Sequence, residues 1–270
     1  MKTLKNRTLI YDNECLMCNI YSKGFIKSGM LDKGGREAFT EVSFKNKNLI
    51  DFNRARNEIA LVDHEKNKVI YGLDSLLLII GNSFPSLEKI ARIKPLYWLF
   101  KKLYSFVSYN RKQIIPSRKD NTEEACVPDF NLKYRIAYMA FVVIISGYIL
   151  SLFSVKLGLG LRLNFWRELT ICVGQIVWQT VFLKSYLKDK TWNYLGNMMT
   201  VSLIGTLLLI PALFLNLNQV FSVIYFGIIV FIMFLEHIRR CRILKLNFLP
   251  TLSWMIFRMT TIIILILLNQ

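Results

Sequence analysis

Residues 9–26 read "LIYDNECLMCNIYSKGFI". An apolar run ends in Tyr11 and Asp12, and two cysteines follow, Cys15 and Cys18. The segment "RTLIYD" (7–12) has the length and composition of a buried strand, and residues 15–30 predict a helix that opens at the cysteines. A CxxC pair in that position has a definite chemistry. The thiolate is the reactive form, and free backbone N–H groups and the helix dipole stabilise it at a helix start. The spacing brings the second sulfur within bonding reach after one turn. Cys15, the outer cysteine, is then expected to attack a substrate disulfide, and Cys18, one turn in and more buried, to resolve the mixed disulfide. Asp12 could cap the helix or accept a proton near Cys18, and Asn13 is an equally good cap.

The rest of the first half alternates short strands and helices. "AFTEVSF" (38–44) and "EIALVD" (58–63) read as strands, and "HEKN" (64–67) as a turn into "KVIYG" (68–72), so the last two strands predict a hairpin. "LDSLLLII" (73–80) predicts a helix packed on the sheet. In residues 95–110, Leu96, Leu99, Phe100, Leu103 and Val107 share one helical stripe. That stripe suits a helix covering the sheet, or an interfacial helix with Tyr97, Trp98, Lys101 and Lys102 at lipid headgroups. Residues 116–132 read as a linker, polar and punctuated by Pro116 and Pro128.

Composition separates the two halves. The chain of 270 residues is 53% hydrophobic with a net charge of +17. Residues 1–132 hold 22 Lys/Arg against 15 Asp/Glu, and residues 133–270 hold 13 against 3, so the more apolar half is the more positive. The basic residues lie in short gaps between long apolar runs. That is membrane-protein patterning and leaves little case for nucleic acid; the expected partner of this half is a lipid bilayer. Spans are predicted near 134–156, 166–187, 194–215, 220–237 and 249–268, an all-α bundle of about five helices. With the N-terminus in the cytoplasm, 13 of the flanking basic residues lie inside and 3 outside, which puts the first half in the cytosol and the C-terminus outside. No cleavable signal peptide is visible at the start. Arg258 falls inside the last span, with Glu236 as its expected partner. Gln175 and Gln179 suit hydrogen bonds between helices.

"YDNECLMCN" (11–19) resembles the opening of the DCC family of thiol-disulfide oxidoreductases, whose signature is Asp-x-x-Cys-x-x-Cys after a strand. Asp12, Cys15 and Cys18 match it residue by residue. "EIALVD…VIYGLDSLLLII" is similar to that family's hairpin and Gly-helix segment, with Gly72 at the glycine, and "YNRKQI" (109–114) resembles its closing Asn-Arg element. The resemblance covers residues 7–115 and implies an α/β thioredoxin-like domain over 1–115, with Cys15, Cys18 and Asp12 as its catalytic residues. It does not extend to the membrane half. Thioredoxins place a cis-proline before their third strand; "NRARNEIALVD" (53–63) has none, which favours a small thiol compound or a dedicated partner over a general peptide disulfide.

The chemistry expected is that of a membrane-anchored dithiol reducing a protein or small-molecule disulfide, with no organic cofactor, because the dithiol carries the electrons. Two alternatives stay open. The pair could hold a soft metal, although no second CxxC or CxxH supplies further ligands. The domain could also be a scaffold without catalysis. Cys126 in the linker and Cys241 near the fourth span would share the cytosolic side with the pair, most simply as unrelated thiols.

Overall fold

The computed structural model describes residues 2–117, 126–158 and 163–268. The chain forms two compact units, Met1–Tyr134 and Arg135–Gln270. Residues 118–125 of the linker, and with them Arg118 and Lys119, lie outside the described residues, as does Arg162.

In the first unit, β1 (Arg7–Tyr11), β2 (Arg36–Ala38), β3 (Ala60–Asp63) and β4 (Lys68–Tyr71) make one mixed sheet in the order β2-β1-β3-β4. β1 and β2 run parallel, and β3 is antiparallel to both β1 and β4. The strands alternate between two cores, as a period of two requires. Ile10, Ala60 and Val62 pack on one face with Phe39, Ile50 and Ala55; Leu9 and Leu61 pack on the other with Leu31 and Ile79. Helices cover both faces, so the strands read as nearly unbroken apolar runs.

The expected strand over 38–44 lies earlier in the chain. β2 pairs from Leu9↔Arg36 to Tyr11↔Ala38, and β1 ends at Tyr11, so residues beyond Ala38 have no strand edge to continue along. A single 3₁₀ turn, Phe39–Glu41, follows and buries Phe39. Arg36 fixes β2 to the helix after β1: its guanidinium donates to the Tyr11 hydroxyl at 2.9 Å and to Ser22 Oγ at 3.1 Å.

The helices of this unit are α1 (Leu16–Lys27), α2 (Phe44–Lys47), α3 (Phe52–Asn57), α4 (Leu73–Ser83), α5 (Pro85–Ala91) and α6 (Lys94–Ile114). Gly72, between β4 and α4, has φ +66°, and a Cβ there would stand 3.1 Å from Glu58 Oε2. The stripe on α6 does not cover the sheet, because Leu99, Leu103 and Val107 are exposed. Its polar last turn is the buried part, holding Ser108, Asn110, Arg111, Lys112 and Gln113. Residues 126–131 of the expected linker return to this unit. Cys126 joins the core beside Ile10 and Ala55, and Asp129 exchanges two hydrogen bonds with Asn57.

The second unit is helical: α7 (Leu132–Ser154), α8 (Phe165–Leu187), α9 (Thr191–Phe214), α10 (Gln219–Ile243) and α11 (Leu249–Leu268). Four stretches are long and apolar enough to cross a membrane, namely Leu132–Leu157, Phe165–Phe214, Gln219–Ile243 and Leu249–Leu267. The second of these has 50 residues and contains both α8 and α9. The Tyr194 hydroxyl donates to Gln179 Oε1 at 3.2 Å. A continuous helix would set those residues about 22 Å apart, so the chain doubles back near Lys188, where φ is +48°.

Arg258 does not pair with Glu236. It donates to Ser202 Oγ at 3.2 Å, with its guanidinium carbon 5.2 Å from the Trp254 ring centroid. Glu236 is taken by Arg239 and Arg240, one turn further along its own helix, at 2.6 and 2.7 Å. Of the two glutamines, Gln179 makes the expected interhelical bond, while the Gln175 amide nitrogen finds no partner among the described residues.

Candidate functional site

The site begins where β1 stops. Asp12 turns the chain: its Oδ1 accepts from the Glu14 N–H at 3.0 Å, and its backbone carbonyl accepts from the Cys15 N–H. α1 therefore starts only after four intervening residues, Asp12 to Cys15. Neither Asp12 nor Asn13 caps it. Cys15 is the cap, its Sγ accepting the Cys18 backbone N–H at 3.5 Å. One of the first orphan donors of the helix, the Cys18 N–H, thus faces a sulfur, and a thiolate satisfies it better than a thiol.

Electrostatics divides the pair. The Cys18 thiol donates to the Cys15 sulfur, and this bond, with the backbone N–H and nearby Arg111, brings the Cys15 pKa down to about 6. Burial and the Asp12 carboxylate oppose the shift without reversing it. Cys18 is driven far above the ordinary thiol range, first because its proton is held by Cys15 and then by burial. The Tyr21 hydroxyl donates to Cys18 in turn. The two sulfurs therefore share one proton around neutral pH, with the charge resting on Cys15.

Access divides them the other way. Cys15 has 0% of its surface exposed, whereas Cys18 is only partly covered. This reverses the expectation that Cys15 is the outer sulfur. The cap accounts for the covering of Cys15: a side chain that folds back over the first turn is enclosed by the turn it caps.

Two cations reach the site from a distant part of the chain. Arg111 Nε lies 3.4 Å and Lys112 Nζ 3.2 Å from Asp12 Oδ2. All three side chains are at most 7% exposed. Arg111 also donates to Ser108 Oγ at 3.3 Å, to the Arg56 and Cys126 carbonyls at 2.9 Å, and to Cys126 Sγ at 3.3 Å. Asp12 is thus an ion-paired anchor that fixes a guanidinium beside the sulfurs. Burial raises the Cys126 thiol to about 12, which leaves it protonated.

Cys18 opens onto a cavity of about 510 Å³ at the carboxyl end of β1. Its walls are largely apolar, from Met17, Leu76, Phe100 and Leu103 among others, and its polar lining includes Asp12, Tyr104, Ser108 and Arg111. Cys15 does not line it. The Tyr104 hydroxyl accepts from the Ile59 N–H at 2.9 Å.

Asp12, Cys15 and Cys18 therefore come together as the spacing implied. Tyr21, Tyr104 and Ser108 carried no signal that tied them to the pair; Arg111 and Lys112 stood out only within the Asn-Arg element of "YNRKQI", and Cys126 only as a thiol expected on the same side. Among the described residues, no group of three or more His, Cys, Asp or Glu side chains is arranged around a metal-sized space. Comparison of the chain with protein-family models, with curated proteins and with solved structures finds no match.

Proposed function

We propose that the chain is a membrane-anchored thiol-disulfide oxidoreductase in which Cys15 and Cys18 cycle between dithiol and disulfide. The observation that carries this is the cap: the Cys15 sulfur accepts the Cys18 N–H at a helix start, and its partner cysteine one turn on opens into a cavity. Transfer of the shared proton from Cys18 to Cys15 puts a thiolate at the open sulfur, near Arg111 and the Tyr21 hydroxyl. Cys18 then attacks one sulfur of a substrate disulfide, and the other sulfur leaves as a thiolate. Cys15 gives up its proton and attacks Cys18 Sγ. The Cys15–Cys18 bond forms, the mixed disulfide breaks, and the substrate departs as two thiols. On this reading access gives Cys18 the first attack, where the spacing suggested Cys15, and Asp12 serves as a positioning group through Arg111.

The order and sense of the four strands, with the cysteines at the head of the helix after β1, support the thioredoxin-like fold that the DCC resemblance implies. The reversal at Lys188 supports five crossings of the bilayer, and the basic residues between them support a cytosolic first unit and an external C-terminus. In a reducing cytosol the resting form is the dithiol, so electrons flow from the chain to its substrate.

The test is a glutathione redox titration of the full chain in detergent, read by mass shift after thiol alkylation. A reversible two-electron Cys15–Cys18 disulfide is the expected result. Two thiols that never pair, or that react only after a chelator is added, would replace this function with metal binding or scaffolding.

A further inference from the structure

The cavity has a direction, and that direction restricts the substrate. Phe100, Leu103, Tyr104, Val107, Ser108 and Arg111 line it from one stripe of α6. These positions follow a helical repeat over eleven residues, so the lined wall is about 16 Å long. It begins at Phe100, apolar and open, and ends at Arg111, buried and charged. Cys18 belongs to the charged end: α1 opens just beyond Asp12, whose carboxylate lies 3.4 Å from Arg111, and Cys18, Asp12 and Arg111 all line the cavity. The reactive sulfur, Asp12, Ser108 and Arg111 therefore share one end, Glu58 and Tyr104 add polar groups along the wall, and the remaining lining is mostly apolar.

A ligand that fits this distribution carries its electrophilic atom next to a hydrogen-bond acceptor, at the tip of an otherwise apolar body. A dialkyl disulfide has no such acceptor. A disulfide with a remote carboxylate would set its charge at the wrong end. A quinone meets the requirement, because its electrophilic ring carbons adjoin carbonyl oxygens and its tail is apolar. Tyr104, whose oxygen is already engaged as an acceptor by Ile59, has its hydroxyl hydrogen to donate to such a carbonyl.

We infer that the cavity is a binding site for a lipophilic quinone, the two-electron acceptor of the Cys15–Cys18 dithiol. This rests on the redox function proposed above and names its substrate class. The Cys18 thiolate adds to a ring carbonyl carbon, forming a C–S bond, and that carbonyl oxygen takes up a proton. The Cys15 thiolate then attacks Cys18 Sγ. The S–S bond forms as the C–S bond breaks, and the released electron pair enters the ring. The second oxygen takes a proton, so dithiol and quinone become disulfide and hydroquinone. One of these protons derives from Cys18 and the other from solvent, matching the proton that Cys15 has already lost. The open apolar end at Phe100 and Leu103 suits the hydrocarbon tail of such a quinone.

The test uses the reduced full chain in detergent with a decyl-tailed benzoquinone. Expected are one hydroquinone per chain by absorbance, a Cys15–Cys18 disulfide by mass, and at least a tenfold slower reaction in Leu103→Trp, whose indole fills the apolar end. Near-ultraviolet circular dichroism of that variant should match wild type, which verifies its fold. In the wild-type chain, the redox-inactive dimethyl ether of the hydroquinone should slow alkylation of Cys18, with no substitution needed. Equal quinone rates in both chains, or no protection by the ether, would overturn the quinone site while leaving the dithiol function standing. Faster, cavity-dependent oxidation by a dialkyl disulfide than by the quinone would overturn the substrate class. Failure of every oxidant to form the Cys15–Cys18 disulfide would remove the dithiol function, and the inference with it.

Discussion

Asp12 and Arg111 stand 99 positions apart in the chain, yet the carboxylate Oδ2 lies 3.4 Å from the guanidinium Nε with both side chains buried. Lys112 closes on the same oxygen from the neighbouring position. The last turn of α6 is thereby tied to the end of β1, and the cation it carries sits within electrostatic reach of both sulfurs. Removing one member of such a buried cluster leaves charge without a partner, which costs more than the intact cluster contributes.

Asp12→Ala is therefore expected to destabilise the first unit by about 3–5 kcal/mol, since two buried cations lose their carboxylate. Thermal unfolding of the full chain in detergent, followed by near-ultraviolet circular dichroism, checks this. Combining Asp12→Ala with Arg111→Met should recover part of the loss. If the double variant is as unstable as the sum of the single ones, the two residues are not coupled.

The thiolate sets a pH dependence. A folded-state pKa of about 6 at Cys15, below the ordinary thiol value near 8.5, means that folding favours the deprotonated form. The resulting stability is fully present above about pH 8.5 and is lost as the pH falls through 6. Thiolate ultraviolet absorbance of the reduced chain should show a step near pH 6 that Cys15→Ala abolishes. Cys18→Ala should move that step upward by removing the donor thiol. Unfolding of the oxidised chain should show no matching loss between pH 8.5 and 6.

Gly72 occupies φ +66° and ψ −138°, a region that side chains other than glycine enter at a cost. Gly72→Ala should destabilise by about 1–3 kcal/mol and press on Glu58, whose carboxylate lies 3.1 Å from the new Cβ. A change below about 0.5 kcal/mol would show that the turn re-forms in another conformation, which a loss of cavity binding would also report.

In the helical unit, α8, α9, α10 and the start of α11 meet at Tyr194. Its hydroxyl lies 3.2 Å from Gln179 Oε1 and 3.3 Å from His237 Nε2, and His237 Nδ1 lies 3.0 Å from Thr251 Oγ1. Hydrogen bonds between helices in lipid contribute modestly, about 0.6 kcal/mol on average and up to about 1.7. Tyr194→Phe should fall within that range in an unfolding assay in mixed micelles. A larger loss would mark the cluster as more than interhelical packing.

Much of the framework follows from local pattern. The β3–β4 hairpin comes from apolar runs on either side of "HEKN", and α4 from the run after Gly72. The cysteines lie at the head of α1 because the apolar run ends two residues before "NECLMC". β2 was misplaced because its length depends on a partner strand and not on its own residues. The stripe of α6 suits either a helix covering the sheet or an interfacial helix, since spacing cannot tell what, if anything, lies opposite. Residues 126–131 read as linker because their composition is polar and the core that takes up Cys126 is built from Ile10 and Ala55, far back in the chain.

The sequence by itself determined the dithiol, its position after a strand, and the division into a mixed unit and an apolar helical one, because spacing, periodicity and hydropathy are local properties. Only the tertiary structure decided which sulfur carries the charge and which borders the cavity. That assignment depends on Arg111, Tyr21, Tyr104 and Cys126 converging on one strand end. Burial and electrostatic coupling are properties of distances in space, and contacts across 99 residues leave no local mark on a chain.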